Sequence, residues 1–293
     1  MAHFGAVVTA MVTPFSDDGA LDVAAAVTLA RWLTDHGSDG LVVAGTTGEG
    51  PVLTDDERLE LWRAVAEAVS VPVVAGTGTN DTAHSVELTR RAAGTGVAGA
   101  LVVTPYYNRP SQAGLEAHFR AVAGASSLPV LIYDIPIRTG RKVGHDVLIR
   151  LAREVPNIVG VKDAALDVAG SAALMAAAPS GFELYSGSDD QTLPLLSIGA
   201  TGTVGVATHW AGELVGEMIA AFGKGDVERA RNINARLLES YVFETSDLAP
   251  NPIPTKAMMR VLGLAVGQCR LPMGPPPDGI DDRAREVLAK LRA

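Results

Sequence analysis

Lys162 closes the run Asn157-Ile158-Val159-Gly160-Val161-Lys162-Asp163, an apolar, strand-like segment with one basic side chain at its tip. A strand covered on both faces makes an ammonium expensive to desolvate. Burial there lowers the lysine pKa and supplies a free amine that attacks a carbonyl carbon. The competing reading is a lysine that snorkels to water or pairs with a carboxylate such as Asp163. Four other strand-like segments also end in polar residues: Gly45-Thr46-Thr47-Gly48-Glu49-Gly50, Thr104-Pro105-Tyr106-Tyr107-Asn108, Tyr133-Asp134-Ile135-Pro136-Ile137-Arg138-Thr139-Gly140 and Ser186-Gly187-Ser188-Asp189-Asp190. Singly each is ordinary: a small turn, a pair of plugging tyrosines, a surface arginine. Jointly they offer a nucleophilic amine, phenols and hydroxyls that move protons, and a guanidinium fork for a carboxylate.

The elements that must position these groups recur along the chain. Short apolar runs appear at intervals of about 20 to 35 residues, each followed by a turn and a helix-like segment. They are Gly5–Val12, Gly40–Gly45, Val71–Gly76, Gly99–Thr104, Pro129–Asp134, Ile158–Lys162, Glu183–Gly187 and Gly202–Val206. The runs are continuous rather than alternating, as strands buried on both faces should be. Helices are expected at Leu21–His36, Thr54–Ser70, Asp81–Ala93, Gln112–Ala123, His145–Glu154, Val168–Ala177 and Asp190–Gly199. The second opens on Thr54-Asp55-Asp56-Glu57, a capping box.

The fold class is α/β, and eight strand–helix units point to a (β/α)8 TIM barrel over residues 1–210, with catalysis at the carboxyl ends of its strands. A doubly wound sheet is the alternative that the same alternation permits. Residues 211–293 hold no strand candidate. They read as a C-terminal helical extension packed on the barrel, with helices at Glu213–Gly223, Asp226–Glu244, Ile253–Leu264 and Asp281–Arg292.

Composition removes several function classes. Of the 293 residues, 47% are hydrophobic and 19% charged, so the chain folds. A net charge of -9 disfavours nucleic-acid and anionic-membrane partners, which need a concentrated basic surface. One cysteine, Cys269, rules out an internal disulfide framework. The apolar run from Phe4 to Phe15 lacks a basic leader and breaks at Thr13-Pro14, as a buried first strand does. A cytoplasmic address is expected. Gly94-Thr95-Gly96-Val97-Ala98-Gly99 matches a dinucleotide fingerprint by letter but precedes a strand instead of opening a helix. The six histidines show no metal-site spacing.

Several motifs together resemble the signatures of the dihydrodipicolinate synthase/N-acetylneuraminate lyase family. They are Gly45-Thr46-Thr47-Gly48-Glu49, Tyr106-Tyr107-Asn108-Arg109-Pro110, Tyr133-Asp134-Ile135-Pro136-x-Arg138-Thr139-Gly140 and Gly160-Val161-Lys162-Asp163. Asn251-Pro252-Ile253-Pro254-x-Lys256 and Arg270-Leu271-Pro272-Met273 extend the likeness into the helical tail. The resemblance implies a class I aldolase-type lyase with no metal and no added cofactor. Lys162 would form a Schiff base with pyruvate, and the resulting enamine would attack an aldehyde, L-aspartate 4-semialdehyde. Tyr133 would shuttle protons in a relay with Thr46 and Tyr107, the latter contributed by a neighbouring subunit. Thr47 would hold the pyruvate carboxylate, Arg138 the carboxylate of the aldehyde, and Gly187 and Val204 would line the pocket. A homotetramer, a dimer of dimers, is implied.

Another pyruvate aldolase of the same family, acting on N-acetylneuraminate or 2-keto-3-deoxy sugar acids, is the alternative. Arg138 speaks against it, because the sugar-specific relatives generally lack that arginine. A non-catalytic barrel would typically have lost the lysine or the tyrosine. A phosphate-binding barrel gives Lys162 and Tyr133 no joint task. Two departures stand out: Gly50 replaces a common serine, and strand seven ends Ser-Gly-Ser-Asp-Asp with one serine more than the usual motif. Some relatives are inhibited by lysine at a site that Asn80 and Tyr106 match. Here His84 replaces the acidic residue of that site, and Asp55 and Arg58 replace histidines, so weak or absent lysine feedback is expected.

Overall fold

The computed structural model describes residues 2–292. Eight parallel strands close into a barrel in sequence order. They are β1 (Val7–Ala10), β2 (Gly40–Val43), β3 (Val73–Gly76), β4 (Gly99–Val103), β5 (Val130–Asp134), β6 (Ile158–Asp163), β7 (Glu183–Ser186) and β8 (Gly202–Gly205). Closure is made by β8 against β1, with Val8 opposite Val204. A doubly wound sheet would keep two open edges, so this pairing excludes it. Each strand falls inside its apolar run or extends one residue past it, and nearly every strand residue is buried.

Helices cover the outside at Val23–Asp35, Asp55–Ala68, Thr82–Ala92, Gln112–Ala123, His145–Glu154 and Val168–Ala177. Short polar side chains start them. Asp22, Thr54, Asp81, Ser111 and Asp167 each accept a backbone N–H in the first turn, and Thr54 and Glu57 complete the expected capping box. The seventh helix differs from expectation. Asp189–Gln191 forms a 3₁₀ turn and only Thr192–Leu196 is α-helical, because the chain turns back before Gly199. The eighth helix begins at Thr208, earlier than Glu213, with a kink at Ala211. Gly212, next to the kink, packs closely against the end of the first helix. A side chain there would meet His36 O at 2.5 Å, so the glycine marks close packing rather than a helix boundary.

Three C-terminal helices, Val227–Phe243, Ile253–Val261 and Ile280–Arg292, fold back on the barrel. Leu237, Met258, Met259 and Leu291 share one continuous core with Leu29, Leu33, Leu61 and Trp62 of the barrel helices. A separate core fills the barrel itself and includes Phe4, Val8, Tyr133, Ala164, Tyr185 and Val204. Among the described residues no helix is long and apolar enough to cross a membrane. No group of three or more metal-ligating side chains is found among them either.

His209 shows what a histidine does in this fold. Its Nε2 accepts the Val12 N–H at 3.1 Å and its Nδ1 donates to Val206 O at 2.8 Å, so the ring is neutral and both nitrogens are used. Burial pushes its pKa down from 6.5 to about 4, and the same cause acts on buried His118. In the unfolded chain these rings take up a proton near 6.5, so the unfolded state binds more protons as pH falls toward 4. Stability is therefore complete above that window and declines through it. Urea midpoints should drop between neutral pH and about pH 5, His209 accounting for on the order of 2 kcal/mol. The His209 ring resonances should stay unshifted over that range.

Candidate active site

Register brings the expected lysine and tyrosine together. Tyr133 on β5 stands opposite Lys162 on β6, which stands opposite Tyr185 on β7. Alternation along a strand then sends all three into the barrel and sends Asp134 and Asp163 outward. Asp163 is consequently no partner for the lysine. Its carboxylate accepts the Ala165 N–H at 2.8 Å and the Ser171 hydroxyl.

Lys162 is 4% exposed, and its Nζ lies 4.1 Å from the centre of the Tyr133 ring. Burial pulls its pKa from 10.5 down to about 8; the Asp189 charge opposes that shift, and Arg138 assists it. At pH 7 the difference yields about 300-fold more free amine than an ordinary lysine offers. Tyr133 is pushed the other way. Burial raises its phenol, against the pull of Arg138 and the Thr46 hydroxyl, so it holds its proton throughout the neutral range.

Above the lysine lies a cavity of about 380 Å³, a size suited to small-molecule ligands. Thr46, Thr47, Arg138, Gly187, Asp189 and Glu244 line it with Lys162 and Tyr133. A smaller cavity of about 220 Å³, reaching Tyr106 and Arg58, adjoins it. Thr46, Tyr133 and Arg138 border both. Arg138 sits on a one-turn helix, Pro136–Thr139, too short for helical periodicity to announce. The Thr139 hydroxyl fastens that turn to Ile135 O at 3.1 Å and Arg141 O at 2.9 Å. Its guanidinium is exposed at the rim.

The loop after β2 is bent by left-handed backbone at Ala44 (φ 59°) and Glu49 (φ 54°) and then held from below. Thr47 Oγ1 accepts from Asn251 Nδ2 at 2.9 Å, and Asn251 Oδ1 accepts from the Thr255 hydroxyl at 3.2 Å. Glu49 forms an ion pair with Lys256 at 2.7 Å, with only 1% and 2% of the two side chains exposed. Its other oxygen accepts the Arg270 N–H at 2.8 Å. Lys256 and Arg270 both lie against the Phe15 ring, at 4.3 and 4.2 Å. The helical extension thus fixes the strand-two turn that carries Thr46 and Thr47.

Six of the eight expected site residues converge on the cavity. Gly187 lies so close to the lysine that a Cβ there would stand 3.0 Å from Lys162 Cγ. Val204 packs one layer deeper, in the barrel core with Tyr133, and the β8 residue on the cavity wall is Val206. Tyr107 is 89% exposed and contributes nothing to the cavity within one chain. Sequence reasoning did not single out Asp189, Glu244 or Asn251 as site residues. Asn251 carried a signal in the Asn-Pro-Ile-Pro motif and Asp189 in the polar end of the seventh strand, whereas Glu244 carried none.

A closed parallel barrel with a desolvated amine at its carboxyl mouth is the arrangement of a (β/α)8-barrel enzyme. The chain belongs to the dihydrodipicolinate synthetase family, whose model matches residues 3–291. It is 50% identical over 295 residues to the 4-hydroxy-tetrahydrodipicolinate synthase of Acidothermus cellulolyticus, covering 99% of this chain and 91% of that protein. A dihydrodipicolinate synthase from Cyanidioschyzon merolae, solved with lysine bound, superposes with a TM-score of 0.95 at 41% identity, over 100% of this chain and 99% of that one. The chloride-inhibited enzyme of Acinetobacter baumannii, complexed with pyruvate, gives 0.93 at 34% identity over 99% of both chains.

Breaking the Glu49–Lys256 pair from one side leaves a buried charge without its partner. Lys256→Met should cost about 3–5 kcal/mol of folding stability. The double variant Glu49→Gln/Lys256→Met should recover much of that loss, as read from denaturant midpoints. Equal losses in the single and double variants would show that the pair is not coupled.

Proposed function

We infer that this protein condenses pyruvate with L-aspartate 4-semialdehyde to 4-hydroxy-tetrahydrodipicolinate, in the diaminopimelate–lysine pathway of the cytoplasm. The observation that carries this reading is the buried Lys162 amine held against the Tyr133 ring, with an arginine fork at the cavity rim. The amine attacks the pyruvate ketone and water leaves, giving an imine. The positive imine nitrogen accepts the electron pair left when a methyl proton departs. The resulting enamine carbon attacks the semialdehyde, and the amine of that substrate closes the ring and frees Lys162.

Each neighbour has a task in this scheme. Tyr133 keeps a proton to donate to the departing hydroxyl and passes protons through Thr46. Thr47, whose hydroxyl oxygen is occupied by Asn251, has its hydrogen free for the pyruvate carboxylate. Arg138 presents two N–H groups to the carboxylate of the second substrate. Gly187 leaves room beside the lysine, and Val204 belongs to the apolar barrel core rather than to the cavity wall. Tyr107 joins the relay only from a second copy, and its exposure fits a site completed by dimerisation within a homotetramer.

Three measurements test the scheme. Borohydride with pyruvate should trap one covalent adduct, on Lys162, visible by mass spectrometry; labelling elsewhere refutes the nucleophile. The trapping rate should rise with pH through about 8, as the amine loses its proton. Arg138→Ala should weaken use of the semialdehyde at least about 100-fold while pyruvate trapping persists, the loss expected for a charged hydrogen-bond pair. Equal loss of both, or turnover of 2-keto-3-deoxy sugar acids instead, contradicts the assignment.

Lysine is proposed to be a poor inhibitor. Asp55 is already engaged by His84 at 2.9 Å and by Arg91 at 3.7 Å, so the site that matches the lysine-inhibited relatives offers little unpaired negative charge. Calorimetry should show no binding of free lysine at sub-millimolar concentration; tight binding overturns this.

A further inference from the structure

Asp189 and Glu244 border the same cavity as Lys162, and the scheme above gives them no task. Asp189 follows β7 and is 2% exposed. Its Oδ2 accepts the Val206 N–H at 2.8 Å and its Oδ1 the Ala207 N–H at 3.2 Å, at the start of the helix Thr208–Gly223. Burial raises its carboxyl pKa, and two backbone donors at a helix N-terminus together with the Lys162 charge pull it back toward the ionised form. Glu244 comes from a distant part of the chain, the C-terminal end of the helix Val227–Phe243. Its carboxyl borders the same cavity wall as that of Asp189 and feels its charge, and its Oε2 is enclosed with no partner of its own.

Two carboxyl groups that share a buried wall favour one proton between them, because like charges repel where water is excluded and neither oxygen donates when both are ionised. The donors decide where it resides. Asp189 accepts two backbone N–H groups that reward a negative charge, whereas Glu244 is reached by the Ala207 N–H alone and its Oε2 by no donor. Burial, reinforced by the Asp189 charge, lifts the Glu244 pKa well above the usual carboxylate range.

The other groups facing the pair do not supply a compensating charge. Tyr241, on the same helix as Glu244, has a buried hydroxyl with no partner, and burial keeps it neutral. Asp190 is exposed and accepts the Ser188 hydroxyl at 2.7 Å. Tyr133 is neutral, and Arg138 lies across the cavity at the rim. Lys162 feels both Asp189 and Glu244, each of which would hold its proton on if ionised.

We propose that Glu244 is a positioning residue that stays protonated and donates to Asp189, so that the pair carries one negative charge and leaves the Lys162 amine free to attack a ketone near neutral pH. A second charge here would keep the ammonium protonated and silence the nucleophile. The proposal rests on the Schiff-base reading of Lys162 and adds a control on its charge.

The test is the pH dependence of pyruvate trapping by borohydride in wild type, Glu244→Gln and Asp189→Asn. Glutamine reproduces a protonated glutamate, donor included, so Glu244→Gln should keep the wild-type midpoint. Asp189→Asn removes the one charge and should lower the midpoint by about one pH unit. If Glu244→Gln lowers the midpoint as much as Asp189→Asn does, Glu244 is ionised and the proposal falls. If neither variant moves it, the pair does not act on Lys162 and the proposal also falls. Absence of trapping in wild type would instead strike the Schiff-base reading. Infrared difference spectra give a readout independent of trapping and of the Asp189→Asn fold. Wild type should show a protonated-carboxyl stretch that Glu244→Gln lacks, and its absence at neutral pH refutes the protonated state.

Discussion

The removal of one amine from water governs this structure. Lys162 loses its hydration because β6 is covered on both faces, by the barrel core within and by helices without. Desolvation alone would also make the strand unstable, so the surroundings must tolerate an ammonium part of the time. Asp189 supplies that tolerance from one side, and Arg138 limits it from the other. The resulting pKa of about 8 is a compromise between a stable barrel and a reactive nitrogen. Tyr133 sits in the same dry layer and answers oppositely, because burial penalises its anion as it penalises the lysine cation.

A reactive nitrogen needs its substrate held still, and that task reaches far from the barrel. The turn after β2 contains small residues and two left-handed positions, a shape the loop would not keep alone. Asn251 and Lys256 grip it through Thr47 and Glu49. Arg270 ties the same region to Glu57 at the start of the second helix. The C-terminal helices are therefore part of the site's scaffold, and their apolar residues merge with the barrel's outer core for the same reason.

Much of this organisation was legible along the chain. Continuous apolar runs ending in polar turns marked all eight strands, because strands buried on both faces leave no alternation to misread. The Thr54 capping box located a helix start, because its two bonds are local. Where tertiary contact decided, local reading slipped. The helix expected from Glu213 starts at Thr208, with Gly212 packed inside it against His36, and Pro136–Thr139 is one turn long. Tyr107 and Val204 carried site expectations, but within this chain one lies outside the cavity and the other beneath its wall.

The sequence alone determined which strand tips carry polar side chains and that Lys162 faces the barrel interior, since both follow from residue type and from the two-residue period of a strand. Closure of the barrel, the neutral state of His209 and the approach of Glu244 to Asp189 were decided only in three dimensions. Each depends on groups that are distant along the chain meeting where water is excluded. Charge and proton placement respond to that exclusion, which no local pattern encodes.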